Sequence, residues 1–270
     1  MVRRFRGFLP HLVLLVYIAV ILCPLGWVLL SSFKTNKEII AAPWAFPANL
    51  SLANYWNAWS GAHVGRYFLN SVVNSAVSAL AALGLGTTTA FALTRMKFPR
   101  ISRLLRRVFL LALLVPSGAL IVPLYLLLRD LHLVNSPLAL ILPYLVLELP
   151  WTIYMVSAFM SSISSELEEA GIMDGLSMHG LLWRILVPIA IPSLFTVFML
   201  NFLTGWNEFM MANVFLTKET LRTLPVSMVA FYDQLNMNYG SLSAAIVLSM
   251  LPVIAMYFLM HRRIMVHIKA

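Results

Sequence analysis

Six stretches of this chain are apolar over roughly the 20 residues that a helix needs to cross a hydrocarbon layer about 30 Å thick. They lie near 8–31, 67–94, 108–128, 137–160, 183–205 and 241–260. Lipid offers a polypeptide backbone no hydrogen-bond partner, so such segments cross as helices, whose amides and carbonyls pair internally. The expected fold class is therefore an all-α integral membrane protein with six transmembrane helices, forming one domain over residues 1–270. A mean hydropathy of +0.87 and a charged fraction of only 11% agree with lipid as the main solvent.

Charge placement orients the bundle, because Lys and Arg are retained on the cytoplasmic side. With an inside start, 13 of the 19 basic residues face the cytoplasm: Arg3, Arg4 and Arg6; the loop Arg95, Lys97, Arg100, Arg103, Arg106 and Arg107; Arg184; and Arg262, Arg263 and Lys269. Both termini are expected there. The net charge of +9 follows from this bias, so no nucleic-acid partner is expected. The first stretch is too long for a cleaved signal peptide and is read as a retained helix. Cys23 is the only cysteine, which excludes a disulfide within the chain.

Between the first two spans lies an external segment carrying Trp44, Phe46, Tyr55, Trp56 and Trp59, suited either to receiving an external partner or to anchoring at headgroup depth. The second span holds Asn70, Asn74, Ser75, Ser78, Gly84, Gly86 and Thr87 to Thr89, small and polar residues that let helices approach closely. Its "GLGTTTA" lacks the lysine of a phosphate-binding loop. Prolines at 116, 123, 143, 150, 188, 192 and 252 interrupt the later spans, either as kinks around a cavity that changes shape or as static packing features.

Four of the ten acidic residues crowd into "ELEEAGIMDGL", Glu166 to Leu176, within the loop 161–182. Ser165 followed by Glu168 fits a capping box, predicting a short helix from Glu166 with acids in its first turn, where the helix dipole favours them. Glu166, Glu169 and Met173 share one side at helical spacing, and Leu167, Ala170, Gly171 and Asp174 make a second, smaller-residue side. Glycine within a helix costs about 1 kcal/mol relative to alanine, so Gly171 predicts close approach of another backbone. Gly175 predicts a C-terminal cap with positive φ, and a second helix should follow.

Glu169-Ala170-Gly171, three residues, Gly175, nine residues, then Ile185-Leu186-Val187-Pro188 resembles the EAA signature of bacterial ABC importer permeases. "SSFKTNKEI", "FALTRMKFP", "VPLYLLLRDLHLVNS", "LPWTIYMVSAFM" and "GWNEFMMA" extend the likeness to the carbohydrate branch, and it is similar to the second permease of maltose-type and glycerol-phosphate-type importers. Gly171 stands where the family usually has alanine. The resemblance implies the type I importer permease fold in a bacterial inner membrane. It implies a homologous second permease, two copies of a cytoplasmic ATPase and an extracellular or periplasmic solute-binding protein. Glu166, Glu169, Ala170, Gly171, Asp174 and Gly175 would then form a coupling helix seated in a cleft of the ATPase. No cofactor is expected on this chain; ATP and Mg would sit in the partner.

Charge within a span is costly and usually functional, so Glu148, with Trp206, Asn207 and Glu208 at the outer end of span five, are candidates for the translocation path, or else helix-packing and interfacial groups. No catalytic residue is expected: an intramembrane protease would need a nucleophile pattern that "PSGAL" lacks. A stand-alone secondary transporter is the rival, without the internal repeats such folds show. Within the ABC reading, sugar, polyol, glycerol phosphate or a non-sugar solute remain open.

Overall fold

The structure, a computed structural model, describes residues 2–96, 98–229 and 238–268, with side chains over 10–96, 98–229 and 238–258. The side chains of Arg3, Arg4, Arg6, Lys97, Arg262, Arg263 and Lys269, read above as cytoplasmic charges, lie outside the described set. The described chain is helical throughout: α1 (Val2–Ser31), α2 (Asn36–Ala41), α3 (Ala53–Trp56), α4 (Val64–Arg95), α5 (Pro99–Ala112), α6 (Ile121–Asp130), α7 (Leu138–Ser161), α8 (Ser165–Met173), α9 (Met178–Leu181), α10 (Val187–Asn207), α11 (Met210–Phe215), α12 (Leu224–Val229) and α13 (Tyr239–Ile268).

Among the described residues five helical segments are long and apolar enough to cross a membrane: Pro10–Ser31, Val64–Arg95, Leu138–Ser161, Met178–Asn207 and Tyr239–Phe258. The sixth expected span, near 108–128, is not a straight crossing. It is the pair Pro99–Ala112 and Ser117–Asp130, bent by 90° at their junction. Pro116 stands at the break in an extended conformation and supplies no amide to carry the helix through. At 1.5 Å per residue the ten residues of α6 reach about 15 Å, half of a hydrocarbon layer. On α5 the apolar Ile101, Leu104, Val108 and Leu111 form an exposed stripe at helical spacing, beside a row of arginines.

The chain divides into two compact units. The first comprises residues 1–66 and 227–252. Here Lys34 is 1% exposed and its Nζ donates to the carbonyls of Ala42 and Pro43 at 3.2 and 2.9 Å. Asn54 Nδ2 donates to the carbonyls of Ser32 and Lys34, and a Cβ on Gly240 would fall 2.5 Å from that same nitrogen. Trp44, Phe46 and Trp56 project outward, whereas the Tyr55 hydroxyl hydrogen-bonds Ser32 Oγ at 2.7 Å.

The second unit comprises residues 67–226 and 253–270. Helix α7 runs through two apolar clusters. Near its start Leu140 and Tyr144 pack with Leu128 of α6 and with Met211 and Phe215 of α11; near its end Val156 and Met160 pack with Phe91 of α4 and with Leu186, Ala190 and Leu194 at the start of α10. Small residues set the spacing between. A Cβ on Gly86 would lie 2.5 Å from Thr152 Cγ2, too close without a shift, and one on Gly205 would lie 3.2 Å from Ser75 Oγ, a tight contact, so α4 meets α7 and α10 at small residues. Gly84, grouped with Gly86 in the sequence, faces open space instead.

Candidate functional site

The acidic segment folds as α8, Ser165–Met173, one residue earlier than predicted and with a different cap. Ser164, in an extended conformation, accepts at Oγ from Glu166 N at 3.3 Å, so the Ser165–Glu168 capping box does not form. Its would-be acid is used elsewhere. The far end follows prediction: Gly175 has φ +84° and donates to the Ile172 carbonyl at 2.9 Å, while Leu176 N donates to the Gly171 carbonyl at 3.0 Å. This pair of bonds is a Schellman cap, which needs the left-handed conformation that glycine adopts without strain. Ser177 then caps α9 by accepting from Gly180 N at 3.2 Å, and α9 continues into α10 through the wide turn Leu182–Leu186.

The two faces of α8 differ from the expected pair. Its buried side is Glu168 with Gly171, one turn apart, and Leu167, Ala170 and Asp174 are exposed together with Glu166 and Glu169. Met173 is 86% exposed. At Gly171 the close neighbour is a side chain rather than a backbone: an added Cβ would meet Ile185 Cδ1 at 2.6 Å, with Leu176 and Leu181 next. The far end of Ile185 can rotate away, which reconciles glycine here with the alanine usual in the family that the motif resembles.

Glu168 is held by Arg95, the last residue of α4, in an ion pair through Nε with both side chains largely buried. Arg95 Nη2 also donates to the carbonyls of Met160 and Ile163, at 2.6 and 3.2 Å, closing the end of α7. One guanidinium therefore joins α4, the end of α7 and α8. Burial raises the Glu168 pKa above the usual carboxylate value, and the Arg95 charge opposes that rise. Sequence reasoning counted Arg95 only as a cytoplasmic charge. The signal that could have found it is an arginine at the end of a span, where unpaired carbonyls gather.

The intramembrane candidates separate into three environments. Glu148 and Glu208 line one cavity of 610 Å³, with Asn201 and Thr204 of α10 and Trp151 of α7. Glu148 is 6% exposed, and neither of its carboxyl oxygens has a hydrogen-bond partner among the described residues. Glu208 accepts from the Tyr144 hydroxyl at 2.7 Å, from Met211 N at 2.7 Å and from Ala212 N at 3.0 Å, which makes it the cap that starts α11. Trp206 does not join them: it is 3% exposed and stacks on Phe202 with ring centroids 5.7 Å apart. Asn207 bonds back to the Leu203 carbonyl and borders a more open hollow that shares Trp151 and Thr204 with that cavity.

Asn135 was also missed. It has φ +60°, and its Oδ1 accepts from Thr217 N, Thr217 Oγ1 and Lys218 N while Nδ2 donates to Thr217 Oγ1. That clamp ties the turn before α7 to the segment after α11. Asn is among the few residues that tolerate positive φ, but nothing local in the sequence names its partner.

The family model described as the binding-protein-dependent transport system inner membrane component matches residues 82–265. The chain is 34% identical over 264 residues to the permease protein of a diacetylchitobiose uptake system from Streptomyces coelicolor, covering 97% of this chain and 87% of that one. It is 33% identical over 253 residues to an inner membrane ABC transporter permease protein of Escherichia coli, covering 92% and 90%. The fold matches a chain in the crystal structure of a bacterial ABC transporter involved in the import of the acidic polysaccharide alginate, with a TM-score of 0.82 at 21% identity over 96% of each chain.

Proposed function

The chain belongs to the family of binding-protein-dependent transport system inner membrane components, the multi-pass permeases of ABC importers, and we propose that it forms half of an ATP-driven import pathway for a carbohydrate or related polyol. The sugar assignment is supported by relatives such as the diacetylchitobiose permease. A homologous second permease would complete the pathway, two copies of a cytoplasmic ATPase holding ATP and Mg would drive it, and a solute-binding protein would deliver the cargo. Both termini and α8 would face the cytoplasm.

The observation that carries the coupling role is the docking of α8 by one side only. Glu168 and Gly171 fasten it to the bundle, leaving Glu166, Glu169, Ala170, Met173 and Asp174 outward as a continuous surface for a partner. A helix anchored at its base and joined by the short turn 174–177 to α9, which runs on into the α10 crossing, can pass a displacement of its tip into the membrane. ATP hydrolysis in the partner would move the cleft gripping residues 166–175, and the bundle would rock between inward-open and outward-open forms. The chain itself performs no covalent step in this scheme.

Tagged protein purified gently from its native membrane is expected to bring a second permease and an ATPase. A Glu169→Lys version, reversing an exposed charge without a hydrogen bond or ion pair among the described residues, should lose the ATPase while keeping the second permease. Retention of the ATPase by that variant together with normal uptake would remove α8 from the coupling role.

A further inference from the structure

We propose that the cleft between α5 and the second half of α7 is a binding site for one anionic phospholipid of the cytoplasmic leaflet. The site goes beyond the import reading and takes from it only which side is cytoplasmic. The cleft has a volume of 250 Å³. Arg106 and Ser161 line it at one end, Leu113 and Pro150 at the other, with Phe109 and Ile153 between. Arg106 belongs to the Ser161 end because its Nη2 donates to the carbonyl of Leu93 at 2.6 Å, close in sequence to the Arg95 that closes the end of α7. From Ser161 back to Pro150, α7 rises about 16 Å at 1.5 Å per residue. That is the depth of one leaflet in a hydrocarbon layer about 30 Å thick.

The chemistry changes along that depth. Beyond Arg106 the α5 wall is Phe109, Leu110 and Leu113, which suits an acyl chain. At the cytoplasmic end Arg103 and Arg107 lie within one turn of Arg106, and all three are exposed. Among the described residues neither these three nor Arg100 pairs with a carboxylate, and no acidic residue lines the cleft. Four arginines between residues 100 and 107 without a counter-charge attract an anion, and basic pockets between helices on the cytoplasmic side suit phospholipid headgroups. The guanidinium fork matches phosphate oxygens. The exposed stripe Ile101, Leu104, Val108 and Leu111 gives the same helix an apolar side fit for lipid. Other occupants match less well. A second permease follows the same bias toward cytoplasmic Lys and Arg, so it brings few acids to this end, and a soluble ATPase does not enter hydrocarbon. One phospholipid supplies the anion and the tail together.

The test is native mass spectrometry of the full chain, purified with the subunits that accompany it and offered equal amounts of phosphatidylglycerol and phosphatidylcholine in mixed micelles. The normal complex should retain one more phosphatidylglycerol per chain than a complex carrying Ala158→Trp, which fills the cleft while leaving every arginine in place. Arg106→Gln should lose the same lipid. Arg103→Gln, whose side chain bonds nothing among the described residues, serves if the other two fail to assemble, and should lower occupancy at least threefold. Phosphatidylcholine should take the place at least tenfold more weakly, and excess inorganic phosphate should not displace the lipid. Equal retention of the two lipids, or displacement by phosphate alone, overturns the proposal. Retention unchanged in all assembled variants puts the lipid elsewhere and overturns it too, and retention by the chain alone but by no assembled complex gives the cleft to the second permease. Retention is read without solute or ATP, so a complex that holds the lipid yet imports nothing sinks the import reading and leaves this one standing.

Discussion

At the scale of single residues, the acids of the 166–176 segment do not act as a group. Glu168 turns inward to Arg95, and Glu166 and Glu169 stay out. Removing one partner of a buried ion pair costs about 3–5 kcal/mol because the other charge is left uncompensated, and partial hydration of this pair lowers that to about 1–3 kcal/mol. Arg95→Ala should therefore leave the protein inserted but loosen α8, seen as faster amide exchange over residues 165–173 with exchange in α13 unchanged. Uptake should fall more than ATP hydrolysis. Unchanged exchange in α8 would mean that Gly171 and the apolar contacts hold the helix without the ion pair. Glycines divide by the same logic: Gly175 is open on all sides and is kept for its φ, whereas Gly86 has ordinary helical φ and is kept for the space it leaves to Thr152.

At the scale of elements, ends and connections hold information that the apolar runs do not. The turn before α7 is tied to the segment after α11 by the side chain of Asn135, beside the bond from its own N–H to the Phe215 carbonyl at 3.1 Å. Asn135→Ala removes the acceptor and places alanine at positive φ, a conformation costing about 1–2 kcal/mol for a residue with a Cβ. Its melting temperature in detergent should drop by several degrees. Asn135→Asp keeps both the acceptor and the tolerance of positive φ, so it should lose less than half as much. Equal losses would show that the Nδ2 bond to Thr217 carries the clamp. The 90° break at Pro116 belongs to this scale as well: hydropathy over 108–128 shows enough apolar residues for a crossing, yet it carries no term for the direction in which they run.

At the scale of the whole molecule, the claims concern sidedness and assembly. Met173 of α8 is 86% exposed, so in a Cys23→Ala background Met173→Cys should react with a membrane-impermeant maleimide in inverted membrane vesicles and not in right-side-out ones. Bound ATPase should slow that reaction at least fivefold. Labelling from the outer face would reverse the orientation read from the basic residues; equal labelling with and without the ATPase would free α8 of the docking role while leaving the orientation intact.

What the amino-acid order determined alone was whatever depends on short-range or solvent-wide physics. Hydrophobic runs of crossing length located five straight spans, because lipid forces each to satisfy its backbone within itself. The spacing from Glu169 to Pro188 pointed to the importer family, and Gly175 announced its cap because positive φ is a local demand. Tertiary structure alone decided which acid of the acidic helix is a fastener, that Gly171 yields to Ile185, and that Glu148 and Glu208 share a cavity while Trp206 packs and Asn207 turns away. The ion pair of Glu168, the neighbour of Gly171 and the meeting of Glu148 with Glu208 depend on partners that lie between 14 and 73 residues away along the chain. A carboxylate, an arginine or an asparagine has the same local preferences whichever neighbour it meets, and only the packed bundle supplies the neighbour.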